Sequence, residues 1–458
     1  MSRSAQTPLA RLEEIAGGAY VSTDASEIAA HEVCGVRPAA VVSPADAAQI
    51  AEILLFAGSE KLAVIPTSGC TKLGIGLPPA RYDLALDLSR LNRVLSYDPQ
   101  DLTLGVEPGM RIEDLLPALA EQKQFLPLAV PFSDRATIGG IVATNSSSPL
   151  RHAYGAVRDF CLGMEFVTGE GKQAKSGGRV VKNVTGYDLH KLLIGSLGTL
   201  GVITRINFRT FPMPQAQGNF VSTFSDAESS FAYCRAIAQS VLAPQILEAI
   251  DPVAARFLLS SKGTEKIASL QWAVVISAAG HPTVVDRYAR ELGHLASSAS
   301  AVDFSPLSES DSVALARIRE FPSLVLEAAP DAAIFRIGVV PTKMASLFAD
   351  LNKVAEKYRL ELATLTRASG IIFAAFFAKT GDNAHSPVNA ALCAEVFQVC
   401  ALPENHANAM LEWCSPEIKH LGVDPFGPRR DDFALMRRVK NAFDPQNVLA
   451  PGRFAGGI

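Results

Sequence analysis

The chain has 458 residues, and at about 150 residues per domain that is room for two or three. Hydrophobic residues make up 48% and charged residues 19%, which excludes a disordered chain. The formal net charge of −4 argues against a nucleic-acid partner, whose binding surface would be basic.

Residues 1–15 lack an apolar stretch and read as a polar lead into a short helix, not a signal peptide. No apolar run reaches bilayer length. A cytoplasmic protein without direct membrane insertion is expected, with any membrane association coming through a partner. Residues 37–43 read as a strand and 44–57 as a helix with Ser43 as its cap. Strands follow over 61–65, 84–88 and 102–107, and Pro108-Gly109 turns the chain into a helix over 112–121. From about 218 to 380, strands alternate with amphipathic helices: 219–223 then 227–240, 272–277 then 284–295, 334–340 then 344–358, and a last strand over 371–377. A helix over 432–442 presents Phe433, Met436, Val439 and Phe443 on one face, with Arg437, Arg438 and Lys440 pointing elsewhere. The seven cysteines contain no C-x-x-C pair and the eight histidines no H-E-x-x-H, so no metal or iron–sulfur site is expected.

Three segments carry chemistry. The first is Ile65-Pro66-Thr67-Ser68-Gly69-Cys70-Thr71-Lys72-Leu73-Gly74-Ile75-Gly76. A strand runs into small residues whose backbone N–H groups can turn inward around phosphate oxygens. It is neither a Walker loop nor G-x-G-x-x-G, and taken alone it also reads as an ordinary Gly-rich turn. The second is Pro131-Phe132-Ser133-Asp134-Arg135-Ala136-Thr137-Ile138-Gly139-Gly140-Ile141-Val142-Ala143-Thr144-Asn145. Gly139-Gly140 lets a flat ring or a pyrophosphate approach the backbone, or lets two backbones cross tightly. The third is Arg179-Val180-Val181-Lys182-Asn183-Val184-Thr185-Gly186-Tyr187-Asp188, leading on to Gly195-Ser196-Leu197-Gly198-Thr199-Leu200-Gly201-Val202-Ile203. Asp188 also reads as a helix cap and Gly195 as a helix stop.

In this order and spacing the three segments resemble the FAD-binding domain of the vanillyl-alcohol oxidase and p-cresol methylhydroxylase family, over residues 33–213. The stretches 182–188 and 195–201 and the closing 443–454 look like the bacterial glycolate oxidase group. Within that group Gly195-Ser196-Leu197-Gly198 resembles the smaller FAD-binding subunit; the larger usually has Glu where this chain has Leu197. The resemblance implies an α+β chain: a FAD-binding domain of two α+β subdomains over 33–213, an α+β cap over 214–400, and a segment 401–458 packing back toward the FAD domain. It implies that Pro66, Thr67, Ser68, Gly69, Cys70 and Thr71 line the pyrophosphate of FAD. Pro131, Thr137, Gly139, Gly140, Ala143 and Thr144 would run along pyrophosphate and ring, and Gly201, Val202 and Ile203 would serve the adenine or ribose end. No histidine stands where relatives link flavin covalently, so non-covalent FAD is expected. The late His-x-Gly-Asp-Gly-Asn segment of the larger subunits is missing; Thr380-Gly381-Asp382-Asn383-Ala384-His385 only echoes it.

Oxidation of a 2-hydroxy acid such as glycolate or lactate needs a cation for the carboxylate and a base for the hydroxyl proton. Arg336 and Arg367 are the candidate clamps and His385 the candidate base, each also readable as a solvated or structural residue. Three functions stay open. One is a FAD subunit of a glycolate-oxidase-like complex, working beside a larger flavin subunit and an iron–sulfur subunit. Another is a self-sufficient 2-hydroxy-acid or alcohol dehydrogenase, and the third a flavin-binding subunit without turnover.

Overall fold

The computed structural model describes residues 8–179, 186–258, 271–307, 312–379 and 388–458. Most of the 182–188 motif and all of 380–385, His385 included, lie outside the described residues.

Four strands, β1 (Val21–Ser22), β2 (Ala40–Val42), β3 (Val64–Thr67) and β4 (Leu84–Asp87), form a first sheet in the order β1-β2-β4-β3. β2 and β3 both pair with β4 in parallel, which requires a crossover, and the helix Ala47–Glu60 supplies it. Its cap is Asp46, not Ser43: the Asp46 carboxylate accepts from the N–H groups of Ala48 and Gln49, both at 2.9 Å. The expected strand and helix therefore exist, with the helix starting a little later, where a carboxylate reaches the first free donors.

A second sheet holds β5 (Val94–Asp98), β6 (Thr103–Val106), β8 (Cys161–Val167), β9 (Gln173–Gly177) and β10 (Val202–Arg209), antiparallel in the order β5-β6-β10-β8-β9. β7 (Gln124–Phe125) and β11 (Phe211–Pro212) make a short ribbon beside it. The helices Ile112–Glu121 and Ile138–Ala143 bury Ile112, Leu115, Leu119, Ile138 and Ile141 with Leu104, Phe166 and Phe208 of the sheet.

The third sheet has eight strands: β12 (Ala216–Phe224), β13 (Ile246–Ile250), β14 (Trp272–Gly280), β15 (Asp303–Pro306), β16 (Ala333–Gly338), β17 (Leu360–Arg367), β18 (Ile371–Ala378) and β19 (Asn408–Trp413). Their order is β15-β12-β14-β13-β17-β18-β16-β19, antiparallel throughout. Both faces are covered, by one core around Phe335, Phe376 and Leu347 and another around Phe321, Phe373 and Ile334. That explains why β18 reads as an unbroken apolar run, IIFAAFFA, where a half-exposed strand would alternate.

Residues 401–458 divide between two places. β19 is an edge of the eight-stranded sheet, while Leu449 bridges Val64 at the edge of β3. The helix Phe433–Phe443 differs from expectation at Lys440, which is buried. Its amino group donates to the carbonyls of Thr199 (2.9 Å) and Leu449 (2.7 Å) and meets the Asp444 carboxylate at 2.6 Å. Asp444 in turn accepts the N–H groups of Val448 and Leu449, so one buried ion pair fastens the C-terminal segment.

Candidate functional site: a small-residue cradle and a charged seam

The loop after β3, the helix Ile138–Ala143 and the turn before β10 converge on a half-open cavity with free space of about 100 Å³. Pro66, Thr67, Ser68, Gly69, Cys70, Thr71, Thr137, Gly139, Gly140, Ala143, Thr144, Gly201 and Ile203 all line it. Two expected residues do not. Val202 is fully buried in β10, where the strand alternation turns it away from its two neighbours, and Pro131 lines a second cavity.

Local hydrogen bonds set the cradle. Thr137 caps its helix: its Oγ1 accepts from the Gly140 N–H at 3.4 Å and lies 2.6 Å from the Ser68 hydroxyl, tying the two glycine segments together. Thr144 donates to the Gly140 carbonyl at 2.7 Å. The two adjacent glycines have different reasons to be glycine. A Cβ on Gly139 would stand 2.7 Å from Pro108 Cβ, a tight backbone crossing. A Cβ on Gly140 would have only the Thr137 hydroxyl nearby, at 3.3 Å, and would occupy the cradle itself. The Thr67 hydroxyl is buried at the cradle without a hydrogen-bond partner, and no backbone N–H of residues 69–72 donates to a described residue. Unused donors beside open space are what a phosphate-bearing cofactor requires, so the residues fit FAD.

Cys70 sits at the cradle in the left-handed region, φ +52. Its thiol lies 3.2 Å from the Ser68 carbonyl, and burial pushes its pKa up to about 12, so it stays neutral. Leu197, at φ +54, presents an apolar side chain to the same cavity. Arg453 closes it from the C-terminal tail, donating to the carbonyls of Leu73 (2.7 Å), Ile75 (2.6 Å) and Leu77 (2.8 Å).

The second cavity is narrow, with free space of only about 20 Å³, and lies at the seam where the eight-stranded sheet meets this domain. Its walls include Lys72, Ser146, Ser147, Arg319, Arg367, Glu412, Phe373 and Trp413. Neither candidate arginine is on a solvent face. Arg367, 3% exposed, ends β17; its Nε donates to Glu248 at 3.0 Å and its Nη1 to the Ser147 hydroxyl. Arg336 approaches Glu412 at 2.6 Å through Nε, with the N–H poorly aimed, and donates from Nη1 to the Asn145 carbonyl at 3.2 Å. Both already hold a carboxylate of their own chain. Burial raises the Glu248 carboxyl to about 7 against the pull of Arg367. Burial likewise lowers the Lys72 amine to about 8, with Glu412 opposing and Arg336 assisting.

With the geometry in place, comparison with known proteins settles the class. The family described as FAD binding domain matches residues 38–177, and the C-terminal domain of FAD linked oxidases matches residues 213–400 and 428–454. The chain is a FAD-linked oxidoreductase that carries both of these domains. Over 429 residues this oxidoreductase is 25% identical to the glycolate oxidase subunit GlcD of Bacillus subtilis, spanning 91% of this chain and 88% of that protein. A shorter stretch of 159 residues is 37% identical to glycolate oxidase subunit GlcE of Escherichia coli, 34% of this chain and 45% of that one. The structure superposes on p-cresol methylhydroxylase with a TM-score of 0.78 at 15% identity, covering 97% of this chain and 96% of that one. The fold of this FAD-linked oxidoreductase is thus the p-cresol methylhydroxylase type, as the motif order implied.

Sequence reading passed over Lys72, Glu248, Glu412 and Arg453. Two carried a signal. Lys72 is the one cation in a loop of small residues, and Glu248 is an acid at the centre of an apolar strand, Ile246–Ile250.

Proposed function

We propose that this chain, with FAD bound, oxidises a small 2-hydroxy acid at the seam, as one flavin subunit of a glycolate-oxidase-like assembly. The seam cavity carries the reading. It adjoins the cradle, and its lining sets polar side chains beside Phe373, Trp413 and Leu365. Among the described residues at this seam, the four cations Lys72, Arg319, Arg336 and Arg367 meet three carboxylates, Glu248, Glu320 and Glu412. The surplus positive charge suits a monoanionic acid.

The cradle residues would hold FAD: Thr67 and the backbone of residues 69–72 at its phosphates, Gly140 where the backbone must be bare. When bound, FAD supplies the redox chemistry. The chain's residues supply placement and charge. Non-covalent binding is consistent with a cavity wall whose cysteine stays a neutral thiol and which includes no histidine among the described residues.

The local likeness to GlcE supports the assembly, as does a sequence without C-x-x-C pairs, which leaves onward electron transfer to a larger flavin subunit and an iron–sulfur subunit. The test is a tagged chain purified with whatever accompanies it, mixed anaerobically with glycolate or lactate. Flavin bleaching is expected, with low dye-linked turnover by the chain alone that rises when the partners are added. No bleaching by either acid sinks the hydroxy-acid reading. Robust turnover by the chain alone favours the self-sufficient enzyme.

A further inference from the structure

Lys72 is the one described residue that lines both the cradle cavity and the seam cavity. Its backbone belongs to the cradle loop, and its amino group reaches the seam, donating to the Ser146 hydroxyl at 2.5 Å. Ser146 is itself 2.8 Å from Thr144 Oγ1, which donates to the Gly140 carbonyl, so a hydrogen-bonded relay joins the amine to the cradle floor. The two candidate arginines are committed: Arg367 is held by Glu248 and Arg336 by Glu412, whereas Arg319 lies 3.3 Å from Glu320 with its Nε making no hydrogen bond. Lys72 has a neutral hydroxyl as its hydrogen-bond acceptor and forms no close ion pair among the described residues, although Glu412 and Glu320 act on it from a distance.

We propose that the Lys72 ammonium, rather than Arg336 or Arg367, anchors the carboxylate of the acid that enters the seam, holding it against the cofactor cradle. This rests on the hydroxy-acid reading and names the group that would make it specific for acids. An arginine already paired with a buried carboxylate would have to surrender that partner to take a substrate, leaving a buried charge unmatched. Lys72 gives up only a hydroxyl. The amine is also tunable: burial has brought its pKa down to about 8, and an anion bound beside it would push it back up. Anion binding at pH 8 to 8.5 should therefore draw a proton onto Lys72.

Calorimetric titration of the FAD-loaded full chain with glycolate and with oxalate, a non-oxidisable planar acid, tests this. The titrations are run from pH 6 to 9 in buffers of different ionisation enthalpy. The groups facing Lys72 are Glu412 and Arg336 on β19 and β16, Arg367 on β17 with Glu248 behind it, and Arg319 and Glu320 beside the helix Phe321–Ala328. Of these, Glu248 titrates near pH 7 and would weaken anion binding there in every variant. The Lys72 step lies above it. Wild type should lose affinity as pH rises through about 8 and take up protons on binding. Lys72→Met should bind about tenfold or more weakly, without the step above pH 8. Lys72→Arg keeps a permanent charge, so it should bind without proton uptake. Flavin content of each variant is measured first. Should Lys72→Met lose its flavin, the wild-type proton uptake and its absence in Lys72→Arg decide the matter. Equal affinity in wild type and Lys72→Met overturns the anchor and leaves the hydroxy-acid reading standing. A wild type that binds neither acid overturns both.

Discussion

The cradle and the seam lie side by side and are built by opposite means. The cradle comes from short runs of consecutive residues, 66–72, 137–144 and 197–203, and offers backbone and small side chains. The seam comes from single long side chains on elements far apart in the chain: Lys72 after β3, Glu248 on β13, Arg336 on β16, Arg367 on β17 and Glu412 on β19. A cofactor shared by a whole family can be held by what every residue has, its N–H and C=O. A substrate must be singled out by charge, and charge can be moved by one substitution.

The contrast can be broken at either end. The largest effect is expected at Gly140→Val. Wild-type protein should purify yellow and release its flavin into the supernatant on acid precipitation; Gly140→Val should purify colourless and fail to reconstitute. The added side chain would stand where only Thr137 Oγ1 is near, so circular dichroism should report an intact fold. Equal FAD affinity in mutant and wild type would show that the cradle does not depend on a bare backbone at this position.

Glu248→Leu comes next, and it strikes the seam. It strands the Arg367 guanidinium, which cannot deprotonate to escape burial, at a cost of about 3–5 kcal/mol of stability. The denaturant midpoint should fall while flavin content at low denaturant stays whole. Loss of flavin with no loss of stability would mean the two regions are not separable as described.

The mildest effect is the pH dependence of stability. Burial raises the carboxyls of Glu248 and Asp251 to about 7, so in the folded state both keep protons that the unfolded chain has already released. Their contribution is full below the unfolded carboxylate range and is lost as pH rises through 7. Buried His31 and His190 and half-buried His152 have lowered values and act in the opposite sense, but that contribution fades above the ordinary histidine range. Lys72, lowered to about 8, also acts in the opposite sense from about pH 8 upward, so the denaturant midpoint should decline between about pH 6.5 and 7.5 and level off above. A flat or rising midpoint would show that neither Glu248 nor Asp251 keeps its proton in this range, and so that the Glu248–Arg367 pair is ionised there.

What the sequence by itself determined is local. Strand-to-loop transitions, glycine pairs and helix caps act within a few residues, and the helix Ile112–Glu121 lies where its apolar spacing places it. So the cradle was legible nearly residue by residue, except at Val202 and Pro131, where one step along a strand or one side chain's direction decides which cavity is faced. What only the tertiary structure decided is which charge meets which. Arg336 and Arg367 were recognisable as arginines in the second half of the chain. Nothing in their neighbourhoods showed that Glu412 and Glu248 would be set against them by the pairing order β13-β17-β18-β16-β19. A buried ion's role is fixed by its counter-ion, and the counter-ion is chosen by strand order, a long-range property that no local pattern encodes. The same holds for Lys72: its place in the loop could be read, but the fact that its amine crosses from one cavity to the other arises only when the sheet closes over the cradle.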